Sequence, residues 1–243
     1  MFQFKQFTIH QERTAMKVST DSCLFGAWVA AQLQKQIPTS KKLLDAGTGT
    51  GLLSLMIAQE NNYEIDAIEI DTSAAQQARE NVEASPWKER ISIIEADLLV
   101  FSPGKKYDII ISNPPFYQNE LNSGKTAKDI AHHSMALTLE QLFKKTAELL
   151  NEDGLYYFLL PYKRLDEIRL LISEAGLTIH EEVHVKPTVN HPPSRIMIRG
   201  IVMKPADRGM NPTSETLILS IKDQDNQYTE AFVSLLRPYY LYL

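Results

Sequence analysis

Two short stretches carry residue types that can do chemistry. The first is Tyr107-Asp108-Ile109-Ile110-Ile111-Ser112-Asn113-Pro114-Pro115-Phe116. Its β-branched, apolar run suits a strand buried on both faces. Two prolines end that strand, because neither donates to a ladder and each drives the residue before it out of the α region. Asn113 is thereby presented at the carboxyl end of a strand, the edge at which open α/β sheets bind ligands. Its side chain has one acceptor and two donors, and Pro114 keeps a free carbonyl. Two acceptors held close together suit a planar –NH2 group, and Phe116 offers an aromatic face to a planar base. The pattern points to a transferase acting on the exocyclic amine of a nucleobase or on an amide. The plain alternative is a Pro-rich turn with Asn as its turn residue.

The second stretch, Leu43-Leu44-Asp45-Ala46-Gly47-Thr48-Gly49-Thr50-Gly51, is a strand running into a glycine-rich turn, with a helix after it. Glycines allow positive φ and a close approach of backbone to ligand. A helix N-terminus favours nearby negative charge such as a carboxylate. The spacing is Asp-x-Gly-x-Gly-x-Gly, so the third glycine comes one residue earlier than in the dinucleotide fingerprint. An ordinary tight βα turn is the alternative. Glu69 ends the next strand, roughly 20 residues on, where a ribose diol is gripped in such sites. Asp71 competes for that role, and equally suits the N-cap of the helix that follows. Asp97 ends a third strand and is placed to accept from an adenine amino group, or else to cap a helix.

These residues need a scaffold. Strands expected from Lys42 into the glycine turn and near 65–71, 91–97, 107–116 and 155–160 alternate with helices, which implies a mostly parallel, doubly wound sheet. Residues 177–184 and 195–204 read as a closing antiparallel pair, giving an α/β fold with a seven-stranded sheet whose last strand is antiparallel. The glycine turn, the ribose acid and the Asn-Pro-Pro-Phe turn then fall on one sheet edge. Phe2, Phe4, Phe7 and Ile9 suggest a short N-terminal hairpin. Ser19-Thr20-Asp21-Ser22 offers N-caps for a helix ending near 35–36. Thr138 to Leu150 reads as an amphipathic helix stopped at Gly154. The chain is expected to form one domain, 1–243, with an N-terminal arm and helix (1–36), a core (37–204) and a C-terminal extension (205–243).

The polar segment 118–129 has the length of a substrate lid. His132 and His133 have no further acid or histidine at ligand spacing, so no metal is expected. Lys186, His191 and Arg195 flank a loop without acids, which makes them candidates for contact with a phosphate backbone; a solvated loop is the alternative. One cysteine in 243 residues excludes a disulfide framework and a cysteine-based zinc site. That points to a reducing, cytoplasmic setting. No apolar run is long enough to span a bilayer. With 44% hydrophobic residues a sizeable core is available, and the net charge of −5 argues against a protein that merely coats nucleic acid.

Asp45-x-Gly47-x-Gly49-x-Gly51 with Asn113-Pro114-Pro115-Phe116 resembles amino-group methyltransferases of the Rossmann-like, class I, S-adenosylmethionine-dependent kind. The flanks narrow the resemblance. Phe4-Lys5-Gln6-Phe7, Ala15-Met16-Lys17-Val18-x-Thr20-Asp21, Gly26-Ala27-Trp28, Asn81 to Ser85-Pro86-Trp87, Asp225 to Ala231 and Tyr239-Tyr240-Leu241 are similar to the bacterial valine-tRNA adenine N6-methyltransferases. The turn has Phe116 where relatives often have Tyr; both stack. The resemblance implies S-adenosylmethionine as cofactor, held by Asp45, Gly47, Gly49, Gly51, Glu69 and Asp97, with Thr20 and Lys17 closing over its carboxylate. It implies tRNA as substrate and adenosine 37 as the methylated nucleoside. A monomer without metal or membrane is expected. Protein glutamine N5-methyltransferases and ribosomal RNA guanine N2-methyltransferases are the competing enzyme classes. A cofactor- or RNA-binding module is the non-enzymatic one.

Overall fold

The computed structural model describes residues 1–35, 42–115, 137–203 and 215–243. Phe116, the segment 118–129, His132 and His133 lie outside them. The N-terminal hairpin pairs β1 (Phe2–Gln3) with β2 (Thr8–Ile9). Eight further strands make one sheet: β3 (Lys42–Ala46), β4 (Glu64–Glu69), β5 (Ile91–Glu95), β6 (Tyr107–Ser112), β7 (Leu150–Pro161), β8 (Leu177–Thr188), β9 (Arg195–Val202) and β10 (Glu215–Lys222). Their spatial order is β10-β8-β9-β7-β6-β3-β4-β5. The expected seven strands are β3 to β9, and β9 alone runs antiparallel to both its neighbours. The sheet has one strand more than expected, because β10 from the C-terminal extension adds parallel to β8. Residues 217–221 read as a strand in sequence, but which edge it joins is decided by tertiary packing.

The helices are α1 (Thr20–Gln34), α2 (Leu52–Glu60), α3 (Thr72–Glu83), α4 (Leu139–Leu149), α5 (Leu165–Glu174) and α6 (Glu230–Leu236). α1, α2 and α6 share one hydrophobic core with Leu43, Ile109, Ile111, Tyr157 and Leu159. α4 and α5 share the other with Leu44, Ile110, Tyr156, Phe158 and Leu160. Neighbouring residues of β3, β6 and β7 thus feed opposite cores, which is why these strands read as unbroken apolar runs rather than alternating ones. Each of Ile109, Ile110 and Ile111 is at most 1% exposed. Burial of that order stabilises by about 1.5–3 kcal/mol per side chain. The strand carrying Asn113 is therefore rigid.

Gly154 does not cap α4. The helix ends at Leu149, the chain enters β7 at Leu150, and Gly154 lies inside that strand. It sits where the β6–β7 register shifts, and a Cβ there would come 2.7 Å from Leu150 Cγ. Small size, not a left-handed backbone, is what that position requires.

Candidate active site

The carboxyl ends of β3, β4 and β6 meet at one edge. Gly47, Gly49 and Gly51 have φ of 77°, 57° and 81°. A non-glycine residue in this region costs about 1–2 kcal/mol. The turn is pinned from below, where the N–H groups of Gly47 and Thr48 both donate to the Ile68 carbonyl at 2.9 Å. A Cβ on Gly47 or Gly49 would meet nothing within 4 Å, so the turn faces open space there. A Cβ on Gly51 would lie 3.6 Å from Ala78 Cβ, so the third glycine serves the packing of α3 and the start of α2. This is a cradle with two open, glycine-lined positions and helix N–H groups behind it.

Asp45 lies beneath that cradle, fully buried. Its Oδ2 accepts from Thr48 Oγ1 at 2.6 Å and Ser54 Oγ at 2.7 Å, while no described residue partners Oδ1. Burial raises its carboxyl to about 6, although both hydroxyls oppose the shift and the charge of Glu69 adds to it. The unfolded carboxyl ionises near 3.9. Between these values the folded state holds a proton that the unfolded chain has lost, so stability falls as pH rises through this window. Asp45→Asn keeps an acceptor for Thr48 and Ser54 and removes the charge. Melting curves without cofactor are expected to show the variant gaining on the parent as pH rises from about 4 to 7. A difference that stays constant with pH contradicts this.

Glu69, half-buried, belongs to the same unit. Its Oε2 accepts from Gly49 N–H at 2.9 Å and its Oε1 from Asp71 N–H at 3.0 Å. A carboxylate has about four lone-pair sites, so two are left for a diol. Asp71 is committed elsewhere, as the N-cap of α3 accepting from Ala74 N–H at 2.8 Å. Asp97 follows β5 and accepts from Leu99 N–H at 2.8 Å. The open glycines and the spare capacity of Glu69 fit a cofactor that carries a ribose.

The Asn113 turn joins this unit through Ser112, whose Oγ donates to the Ala46 carbonyl at 2.7 Å, between the two strand ends. Asn113 Nδ2 donates to Ser22 Oγ on α1 at 3.0 Å. Among the described residues no donor reaches Asn113 Oδ1. The amide nitrogen is thus held against the protein and the oxygen is left as an acceptor. Pro114 beside it is buried.

The N-terminal arm lies against the same turn. Asn81 on α3 donates to the carbonyls of His10 and Thr50 at 2.8 and 2.9 Å, and accepts from His10 N–H at 2.9 Å. Lys17 Nζ is held by the carbonyls of Gln11 and Thr14 at 2.6 and 2.7 Å, bracing the arm. Thr20 is exposed at the first position of α1, which Ser19 caps.

Lys186, His191 and Arg195 reach the same edge, because β8 ends there and the antiparallel β9 begins there. Lys186 Nζ donates to the Val189 carbonyl at 2.6 Å, and His191 Nδ1 lies 2.7 Å from Thr188 Oγ1. The loop itself lacks an acid, but α1 supplies one: Asp21 Oδ2 is 3.3 Å from Arg195 Nε. Among the described residues no group of His, Cys, Asp or Glu is arranged to hold a metal ion. Ser22, Ser54, Asn81 and Ser112 were not visible in sequence as site residues. Ser22 reads there as a helix cap and Ser112 as a strand end.

Residues 26–163 match the family model described as methyltransferase small domain. A predicted O-methyltransferase of Agrobacterium tumefaciens superposes with a TM-score of 0.62 at 15% identity, over 90% of this chain and 96% of its own. A glycopeptide N-methyltransferase solved with S-adenosyl-L-methionine superposes with a TM-score of 0.52 at 13% identity, over 74% and 94%. Family model and fold together place the chain among the Rossmann-like methyltransferases. The sequence relatives are closer. The tRNA1(Val) (adenine(37)-N6)-methyltransferase of Cytophaga hutchinsonii is 38% identical, over 100% of this chain and 98% of its own length. That of Bacteroides thetaiotaomicron is 36% identical over the same shares. The chain belongs to the tRNA1(Val) (adenine(37)-N6)-methyltransferase family.

Proposed function

We infer that this protein transfers a methyl group from S-adenosylmethionine to the exocyclic N6 amine of adenosine 37 in valine tRNA. The observation that carries the reading is the orientation of Asn113: its nitrogen is spent on Ser22 and its oxygen is left to accept. An amine substrate needs just such an acceptor. The cofactor, when bound, supplies an electrophilic methyl group on a sulfonium. Gly47 and Gly49 would leave the space for it, Glu69 would accept from its ribose hydroxyls, and Asp97 would accept from its adenine amine. Asp45 supports the turn from beneath, and Lys17 and Thr20 stand at the arm that closes over it.

Adenosine in an anticodon loop is open to extrusion, since unstacked loop bases are the usual targets in RNA. Asn113 Oδ1 and the Pro114 carbonyl accept from the two amine hydrogens, turning the nitrogen lone pair toward the methyl group. Such positioning supplies much of the rate. These two dipoles would offset the positive charge that grows on the nitrogen as it takes up the methyl group. The amine proton leaves afterwards to solvent, so no strong base is needed beforehand. Lys186, His191 and Arg195 contact RNA phosphates. Among the described residues no helix is long and apolar enough to cross a membrane. We take the enzyme to act in the cytoplasm, as a monomer.

The test is transfer from labelled S-adenosylmethionine to total tRNA, ribosomal RNA and a protein extract, with nucleoside analysis of the product. N6-methyladenosine in valine tRNA alone is expected. Label in glutamine or in guanosine moves the substrate assignment to one of the competing enzyme classes. Cofactor binding with no transfer to any of the three contradicts the enzymatic reading.

A further inference from the structure

An amide acceptor has to be the right way round. The oxygen and nitrogen ends of Asn113 are nearly the same size, yet one accepts and the other donates. A flipped Asn113 would set its own N–H groups against those of the substrate amine. A contact that bears on the choice comes from α1. Ser22 is 5% exposed, and its Oγ lies 3.0 Å from Asn113 Nδ2. Met16 Sδ stands 4.0 Å from the same nitrogen. Ser22 Oγ also lies 2.8 Å from Ser19 Oγ, which accepts the Ser22 backbone N–H at 3.2 Å. When the Ser22 proton points to Ser19, the Ser22 oxygen presents only lone pairs to Asn113.

We propose that Ser22 is a positioning residue for methyl transfer: its hydroxyl oxygen, oriented by Ser19, holds Asn113 with the amide oxygen facing the substrate amine. The inference rests on the reading of Asn113 as the amine acceptor. It also makes α1, and the arm that leads into it, part of the catalytic arrangement.

Ser22→Ala removes the hydroxyl but leaves the backbone N–H that Ser19 caps, so α1 keeps its start. The expected result is a fall in kcat of about 10- to 100-fold, with KM for tRNA, cofactor affinity and melting temperature nearly unchanged. A carboxylate presents an acceptor whichever way it is turned, so in an Asn113→Asp background the same Ser22→Ala change is expected to cost little. An equal fold-loss in both backgrounds overturns the proposal, as does a kcat unchanged by Ser22→Ala. A second readout is independent of turnover: the side-chain amide resonances of 15N-labelled Asn113. They are expected to move on Ser22→Ala, and unmoved resonances overturn the proposal even where Asn113→Asp is inactive. A parent enzyme that methylates no tRNA counts against the function proposed above, while the resonance test still decides the role of Ser22.

Discussion

Asn113→Ala is expected to lower methyl transfer by about 10²- to 10³-fold while cofactor affinity stays within a small factor of the parent's. Such a loss corresponds to about 2.7–4 kcal/mol of transition-state stabilisation. Asn113 lies at the end of a strand whose three isoleucines are buried, so the truncation removes an acceptor without shifting its surroundings. The glycine cradle is held by Ile68, Thr48 and Ser54, none of which depends on the Asn113 side chain. Binding and turnover should therefore separate. Single-turnover transfer and equilibrium binding of S-adenosylmethionine measure the two halves. A variant that loses both together would mean that Asn113 shapes the cofactor site; a variant that loses neither would leave the turn without a catalytic role.

Gly200→Ala is expected to destabilise the fold by on the order of 3 kcal/mol or more, beyond the usual range for an added methyl in a packed core. On β9, Gly200 pairs with Tyr156 of β7 on one side and Ile179 of β8 on the other. The Tyr156 ring crosses over it so that its hydroxyl donates to the Thr178 carbonyl at 3.1 Å. A Cβ on Gly200 would lie 2.0 Å from that carbonyl oxygen and 2.3 Å from the Tyr156 hydroxyl. A side-chain rotation can relieve the second contact but not the first, which is backbone. Thermal unfolding should show a fall of about 6–12 °C, taking 2–4 °C per kcal/mol for a chain of this size. Gly200→Ala combined with Tyr156→Leu should recover only part of it. A melting temperature equal to the parent's would mean that β8 and β9 separate more easily than their packing implies.

What was legible in the sequence follows from how local each signal is. The strand-end Asn113 and the glycine turn are written in adjacent residues, so their element types could be read directly. The N-terminal hairpin and the antiparallel pairing of β8 with β9 were equally local. Gly154 misled because a glycine after a helical pattern ordinarily marks its cap, whereas here it relieves crowding by Leu150. Gly200 gave no signal, since a glycine within a strand marks close approach without naming what approaches. Ser22 reaches Asn113 across 91 residues of sequence. Asp21 pairs with Arg195 although the loop containing Arg195 has no acid of its own. Such contacts exist only once the sheet order is set, and a helix cap and a relay hydroxyl look alike in a string of letters.

The central claim is that the Asn113 turn receives the exocyclic amine of one adenosine. The most direct measurement is transfer from labelled S-adenosylmethionine to a valine tRNA transcript and to the same transcript with guanosine in place of adenosine 37. Label is expected in the first, recovered as N6-methyladenosine from position 37, and absent from the second. Equal labelling of both transcripts, or label recovered from another position, would contradict it.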